Sequence, residues 1–350
     1  MGTDHPQIDS VDYLIIGQGL AGTAMAFHLI KAGKTVLVVD NGSQSSSKVA
    51  AGLFNPVTGR RFVKSWLIDD LLPYTEKIYD EIAKLTGADS YFHEMPIIRY
   101  LAEDEEASVF ERSRQVDNQK YIAGFTPRSE TNKKAIVEIT GGGYVDTVSL
   151  INDFRIYLQS IGSFIQSEFE YKDLKINEEN IKWNNISAGS VIFCEGYKAI
   201  ENPYFPGLPF NLVKGEILTV RIPELNSEKI LMSGGYLLPI GNDIYKLGST
   251  YDWDNLSPEP TESGFKTLIT KLKNITDLPF EVIDHEAGVR PAVKNRRPIL
   301  GRSAAHEKMY ILNGLGTKGV ILAPYFAKQL VEYILEGLPL DKEVNVRLLP

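Results

Sequence analysis

Apolar and polar positions alternate with two different periods along this chain, and the changes of period mark its elements. Val11 to Ile16 is a short apolar run suited to a parallel strand buried on both faces. Thr23 to Ala32 has helical spacing, with Ala26, Leu29 and Ile30 inward and Gly33 as the stop. Thr35 to Val39 is a second strand with Asp40 at its carboxyl end, so the chain opens on a βαβ unit. Residues 68–86 and 147–160 read as helices, and 103–120 as a charged, solvated helix face. Short strands are predicted at Lys134–Ile139, Lys172–Ile176 and Ser190–Glu195. Period-two runs at Glu216–Val220, Tyr236–Ile240 and Ile244–Gly248 predict an antiparallel sheet. A helix at 261–274, a strand at Met309–Leu312 and a final helix from about Val320 to Leu335 complete the pattern.

With 350 residues the chain exceeds the usual size of one core, so two domains are expected. Parallel βα elements lie at both ends and in the middle, with antiparallel elements between. The expected fold class is therefore α/β, each domain assembled from separated stretches: 9–80, 141–212 and 286–350 for a dinucleotide-binding domain, 81–140 and 213–285 for a smaller antiparallel α+β substrate domain.

The net charge of −8 argues against a nucleic-acid partner, because phosphate binding rests on Lys and Arg. The pairs Arg60-Arg61, Lys133-Lys134 and Arg296-Arg297 are too short to make a basic patch. The single cysteine, Cys194, lies in an apolar run and reads as a packing residue; no disulfide framework is possible. The first residues lack a basic region followed by an apolar core, and no apolar stretch approaches the roughly 20 residues that span a bilayer. The expectation is a cytoplasmic protein without a membrane partner. His28, His93, His285 and His306 have no metal-like spacing, so no metal is expected.

Gly17, Gly19 and Gly22 follow a strand and open a helix, which is the context a dinucleotide fingerprint needs. The first glycine permits the turn, the second lets backbone approach a pyrophosphate, and the third allows helix–strand packing. Asp40, eighteen residues beyond Gly22, suits ribose hydroxyls and would repel a 2′-phosphate. Near the other end stand Gly288-Val-Arg-Pro291, Arg297-Pro-Ile-Leu-Gly301 and Gly314-Leu-Gly-Thr-Lys-Gly319. From spacing alone Arg290 would be assigned to a structural ion pair.

These segments, with Ser46–Gly52, Lys214-Gly-Glu216, Tyr236–Pro239 and Gly248-Ser-Thr250, resemble the D-amino-acid oxidase and glycine oxidase family of flavoproteins over essentially the whole chain. The resemblance implies a two-domain oxidoreductase with a Rossmann-type FAD-binding domain. Its reaction would be hydride transfer from a C–N carbon to flavin N5, then imine hydrolysis, on a small-molecule amine or amino acid bearing a carboxylate. Oxygen or another electron acceptor would reoxidise the flavin. By the same resemblance Leu20 and Ala21 meet the pyrophosphate, and Asp40 and Asn41 the ribose. Ser46, Ser47, Ala51, Gly52 and Leu53 line pyrophosphate and flavin, and Tyr171 meets the adenine. Gly314, Leu315, Gly316, Thr317, Lys318, Gly319, Val320 and Ile321 form a loop and helix start facing the flavin N1/C2=O edge, where a positive helix terminus favours the reduced anion. Arg290 holds the substrate carboxylate through a bidentate fork, and Tyr236 borders the pocket.

Two departures bear on substrate. Thr317, followed by Lys318, stands where glycine oxidases place a second pocket arginine. The segment Leu53–Arg61 is similar to the flavin domain of the enzyme that finishes 5-methylaminomethyl-2-thiouridine in tRNA. Oxidation of a carboxymethylaminomethyl group on tRNA uridine is thus one alternative, and an FAD-binding regulatory protein without turnover is another.

Overall fold

The computed structural model describes residues 9–59, 62–113, 119–129, 134–177 and 179–348. Arg60, Arg61 and Lys133 therefore lie outside the described residues, as does the middle of the charged stretch at 103–120. A helix spans Glu106–Ser113 within that stretch.

Five parallel strands form the heart of the first sheet. Their order is Phe164–Gln166, Val36–Asp40, Ser10–Ile16, Ile186–Phe193 and Met309–Asn313. Successive side chains enter opposite faces, as the strand period requires. Ile15, Val38 and Ile192 join one core cluster, and Leu14, Leu37, Val191 and Phe193 join another on the far side. That two-sided burial explains why these strands read as continuous apolar runs rather than alternating ones. Antiparallel strands Ile181–Trp183 and Leu174–Ile176 extend the sheet beyond Ile186–Phe193, and Ile299–Arg302 pairs with Met309–Asn313.

The helix that follows the first strand runs from Leu20 to Lys31, three residues earlier than the periodicity predicts, because Gly19 caps it and Gly22 sits inside it. A Cβ on Gly22 would overlap the Gly17 carbonyl oxygen, so only glycine lets helix and turn meet this closely. The last helix, Gly319–Glu336, packs beside the first. His28 bridges them, its Nε2 lying 3.0 Å from the Pro324 carbonyl oxygen. The helix Ile68–Thr86 secures the start of the last one. Tyr79 Oη donates to the Val320 carbonyl at 2.7 Å and Thr75 Oγ1 to that of Ile321 at 3.1 Å.

The second large sheet has, among the described residues, eight strands, antiparallel except where Ile230–Met232 runs parallel to Ile97–Tyr100. Its longest pair joins Val213–Arg221 to Glu281–Arg290. The helix Glu262–Lys273 covers one face, burying Leu268 and Leu272 against Leu218, Leu237 and Leu247. Thr261 caps this helix by accepting from Gly264 N at 3.0 Å. The strand Glu281–Arg290 carries Arg290 at its last position, and the chain then returns to the first sheet through Ile299–Arg302.

Candidate functional site

One cavity of about 1130 Å³ runs along the carboxyl ends of the parallel strands and on beneath the second sheet. That exceeds the roughly 300–1,000 Å³ of an ordinary small-molecule pocket, and suits a dinucleotide with a second ligand beyond it.

At its first end the chain turns at Gly17, whose φ is +95°. The new helix presents its N-terminus to the cavity, with Gly19, Leu20 and Ala21 on the lining. Ser47 Oγ accepts from Leu20 N at 3.2 Å, tying the segment 46–53 across this N-terminus. The helix dipole and the remaining first-turn N–H groups favour an anion here. Asp40 lines the cavity from the end of the second strand. Its Oδ2 accepts from Gln18 N at 2.8 Å, and its Oδ1 from Gly42 N at 2.8 Å and Arg155 Nη2 at 3.0 Å. Arg155 also donates Nε to Gln18 Oε1 at 2.6 Å, so one guanidinium fixes both the turn and the acid. Asn41 lines the cavity and donates to Glu168 Oε2 at 2.6 Å.

Farther along, Ser46, Ser47, Ala51, Gly52 and Leu53 form one wall, and Leu315 to Ile321 form another. Gly316 has φ +55°, and Lys318 caps the last helix, whose N-terminus thereby faces the cavity. Lys318 Nζ donates to Ser65 Oγ at 3.2 Å; burial, with Arg297 and Arg296 nearby, holds its ammonium below the usual lysine range. The two helix termini, the acid at the strand end and the small-residue wall between them fit an FAD: the first terminus suits a pyrophosphate, the second an electron-rich ring edge.

Arg290 reaches the cavity beyond these walls. In the strand register Gly288 lies opposite Gly215, two residues from the Arg290–Val213 pair on the same face. The guanidinium lies over Gly215, where a Cβ would overlap it. Arg290 Nη1 donates to the Thr250 carbonyl at 3.2 Å, and its Cζ stands 4.9 Å from the Tyr251 ring centroid. Among the described residues it forms no ion pair. A mostly buried guanidinium thus faces the cavity with a carbonyl and an aromatic ring but no counter-anion. Burial depresses its pKa while Tyr251 and Tyr236 oppose the shift; a guanidinium stays charged regardless. Tyr236 lies beside it, its ring against Gly248, and burial pushes the phenol up so that it remains neutral.

A buried ionic cluster supports this end. Lys214 and Glu216 are 0% and 2% exposed at their side chains and lie 3.4 Å apart. Glu216 Oε2 is 2.8 Å from His285 Nε2 and accepts from Thr261 N at 3.0 Å, while Oε1 accepts from Thr261 Oγ1 at 2.7 Å. The Glu216 backbone bonds Thr250 twice, N to Oγ1 at 2.9 Å and O from N at 3.2 Å. The carbonyl that holds Arg290 is therefore anchored by Glu216.

The structure brings nearly all of the sequence-identified residues to this one cavity. Gly22 and Gly314 do not line it. Tyr171 stands beyond the lining residues Ser167 to Phe169, its hydroxyl donating to Glu195 Oε1 at 2.7 Å. Cys194 is buried, and no group of metal-binding residues exists among the described residues. No helix there is long and apolar enough to cross a membrane. Nothing in the sequence pattern singles out Arg155 or Tyr251, and Gly215 and Thr250 stand only within the motifs of the resemblance, with no role given; each acts through residues distant in sequence.

Residues 12–333 match the sequence model of the family described as FAD dependent oxidoreductase. The chain is 22% identical to a glycine oxidase of Bacillus licheniformis, covering 95% of each chain. It is 25% identical to the tRNA 5-methylaminomethyl-2-thiouridine biosynthesis bifunctional protein MnmC of Legionella pneumophila, over 82% of this chain and 45% of that one. In fold it is similar to a glycine oxidase from Geobacillus kaustophilus, at 21% identity with a TM-score of 0.78 over 95% and 96% of the two chains. The iminodiacetate oxidase of Chelativorans sp. BNC1 is also similar, at 21% identity with a TM-score of 0.74 over 94% and 96%.

Proposed function

The chain belongs to the FAD dependent oxidoreductase family, and on that premise we propose that it oxidises the C–N bond of a small amine or amino acid that carries a carboxylate. The observation that carries this reading is Arg290, a charged fork at the cavity with no anionic partner among the described residues.

Bound FAD supplies a two-electron acceptor. Arg290 receives the substrate carboxylate and fixes which carbon is presented. Tyr236 and Tyr251 stand beside the Arg290 guanidinium. The helix N-terminus at Lys318–Ile321 would offer its positive dipole end to the flavin and so favour the reduced, negatively charged form. The substrate loses a hydride from carbon, and the resulting imine hydrolyses to a carbonyl and an amine. A substrate amine that binds unprotonated needs no protein base. The likeness to glycine and iminodiacetate oxidases supports an amine next to a carboxylate.

A second reading, oxidation of a carboxymethylaminomethyl group on tRNA uridine, draws support from the likeness to the bifunctional tRNA-modification protein, of which this chain spans 45%. The net charge of −8 weighs against it.

The test is the visible spectrum of the flavin-loaded protein without oxygen, before and after glycine, N-methylglycine, iminodiacetate and D- and L-amino acids. Bleaching by any of them supports the first reading. A band that only dithionite bleaches overturns it and shifts weight to the tRNA substrate or to a binding protein without turnover.

A further inference from the structure

The segment from Tyr251 to Pro260 is solvent-facing and has no regular structure, yet it is tied down along its length. Lys214 and Asp252 exchange backbone hydrogen bonds of 2.8 and 3.1 Å. Asp252 Oδ1 accepts from the N–H groups of Asp254 and Asn255, both at 3.0 Å. The buried Lys214 ammonium donates to the Glu259 carbonyl, and the buried Glu216 carboxylate holds Thr261. Backbone pairing thus fixes the start of this exposed loop, the Asp252 carboxylate its next turn, and two buried charges of opposite sign its end.

This loop presents Tyr251 and Trp253, 53% and 54% exposed, with ring centroids 6.0 Å apart and planes inclined by 26°. Two large rings held nearly parallel in water gain little from each other that burial would not give more cheaply. Tyr251 also carries the Arg290 guanidinium 4.9 Å from its centroid and lines the cavity mouth. Carboxylate site and exposed rings are therefore one continuous surface.

We propose that Tyr251 and Trp253 form a stacking platform for a planar ring on the non-reacting part of the substrate, so that the preferred substrate is an aromatic- or heteroaromatic-substituted amino acid and not free glycine. The proposal rests on the oxidase reading above. A carboxylate on Arg290 directs the remainder of the molecule along the rings, and a flat group there covers faces that an N-methyl group leaves wet.

The experiment compares N-benzylglycine with N-methylglycine, which share the carboxylate and amine, in the flavin-loaded protein and in Trp253→Ala, Trp253→Phe and Tyr251→Leu. Flavin content and circular dichroism check folding. The expected result is a kcat/KM at least tenfold higher for N-benzylglycine. Trp253→Ala lowers that ratio about tenfold through KM, the loss of one stacked ring, and Trp253→Phe restores most of it. A ratio near one, or one that neither Trp253→Ala nor Tyr251→Leu lowers, overturns the platform while leaving the oxidase reading intact. So does a Trp253→Ala protein whose self-association changes but whose ratio does not. If neither compound reduces the flavin, the platform falls, and the oxidase reading is decided separately by the wider panel of amines and amino acids above.

Discussion

Gly215 lies directly beneath the Arg290 guanidinium, and a β-carbon at that position would occupy the space of the guanidinium itself. The paired strands make this possible by setting Gly215 opposite Gly288. Gly215→Ala must therefore swing the fork away from the Thr250 carbonyl. We expect KM for a carboxylate-bearing substrate to rise about ten- to a hundredfold, the worth of a charge-assisted hydrogen bond. Flavin content should stay normal. Steady-state kinetics with parallel absorbance at the flavin band checks both.

Arg290→Ala removes the fork altogether. The expected outcome is a loss in kcat/KM of at least about a hundredfold with FAD still bound. A variant that instead lost FAD, and regained full activity when refilled, would remove Arg290 from substrate binding.

Glu216 neutralises a lysine that has no access to water, with the two side chains 2% and 0% exposed. Glu216→Ala leaves that charge uncompensated and should cost about 3–5 kcal/mol in unfolding free energy. Replacing Lys214 and Glu216 together by Met and Leu should cost distinctly less. Urea denaturation of the two variants measures the difference.

Arg155 holds both Asp40 and the Gln18 side chain from the helix Thr147–Ser160. Arg155→Met should weaken FAD binding by about tenfold, by releasing an acid assigned to the ribose. Fluorescence titration of the apoprotein with FAD reads it directly; an unaltered dissociation constant would show that Asp40 needs no such support.

Burial pushes the His28 imidazole down to about 4, despite its bond to the Pro324 carbonyl. The unfolded chain, with a histidine pKa of about 6.5, binds a proton first as the pH falls. Stability from this site is complete above about 6.5 and declines as the pH drops toward 4, by about 3 kcal/mol in all. His28→Gln keeps a donor for Pro324 but does not titrate. The stability difference between parent and variant should therefore narrow or reverse across that window, in thermal melts at a series of pH values.

The elements that support the cavity were legible because each is strongly patterned. The strand Ser10–Ile16 is apolar on both faces, and helices 68–86 and 147–160 are amphipathic and end where the pattern ends. Arg290 was legible only through its neighbours' resemblance to a family. Spacing alone favoured an ion pair, and among the described residues there is none. What stayed hidden depends on register and on distance along the chain. Gly215 matters because of which residue it faces across a strand pair, and Arg155 because it meets Asp40 over 115 residues. Strand Ile97–Tyr100 joins its sheet in parallel with Ile230–Met232, which no local period encodes.

The hydrogen bond between His28 and Pro324 joins residues 296 apart. Gly17 turns the chain at one end of the cleft, and Lys318 caps the helix whose start walls another part of it. A chain cut at residue 300 would keep Gly17, Asp40 and Arg290 but lose the wall that Leu315 to Ile321 form. A flavin held in this cleft would therefore bridge stretches of chain that only the folded state brings together. Such a ligand would stabilise the folded chain over the unfolded one by an amount that grows with the free FAD concentration.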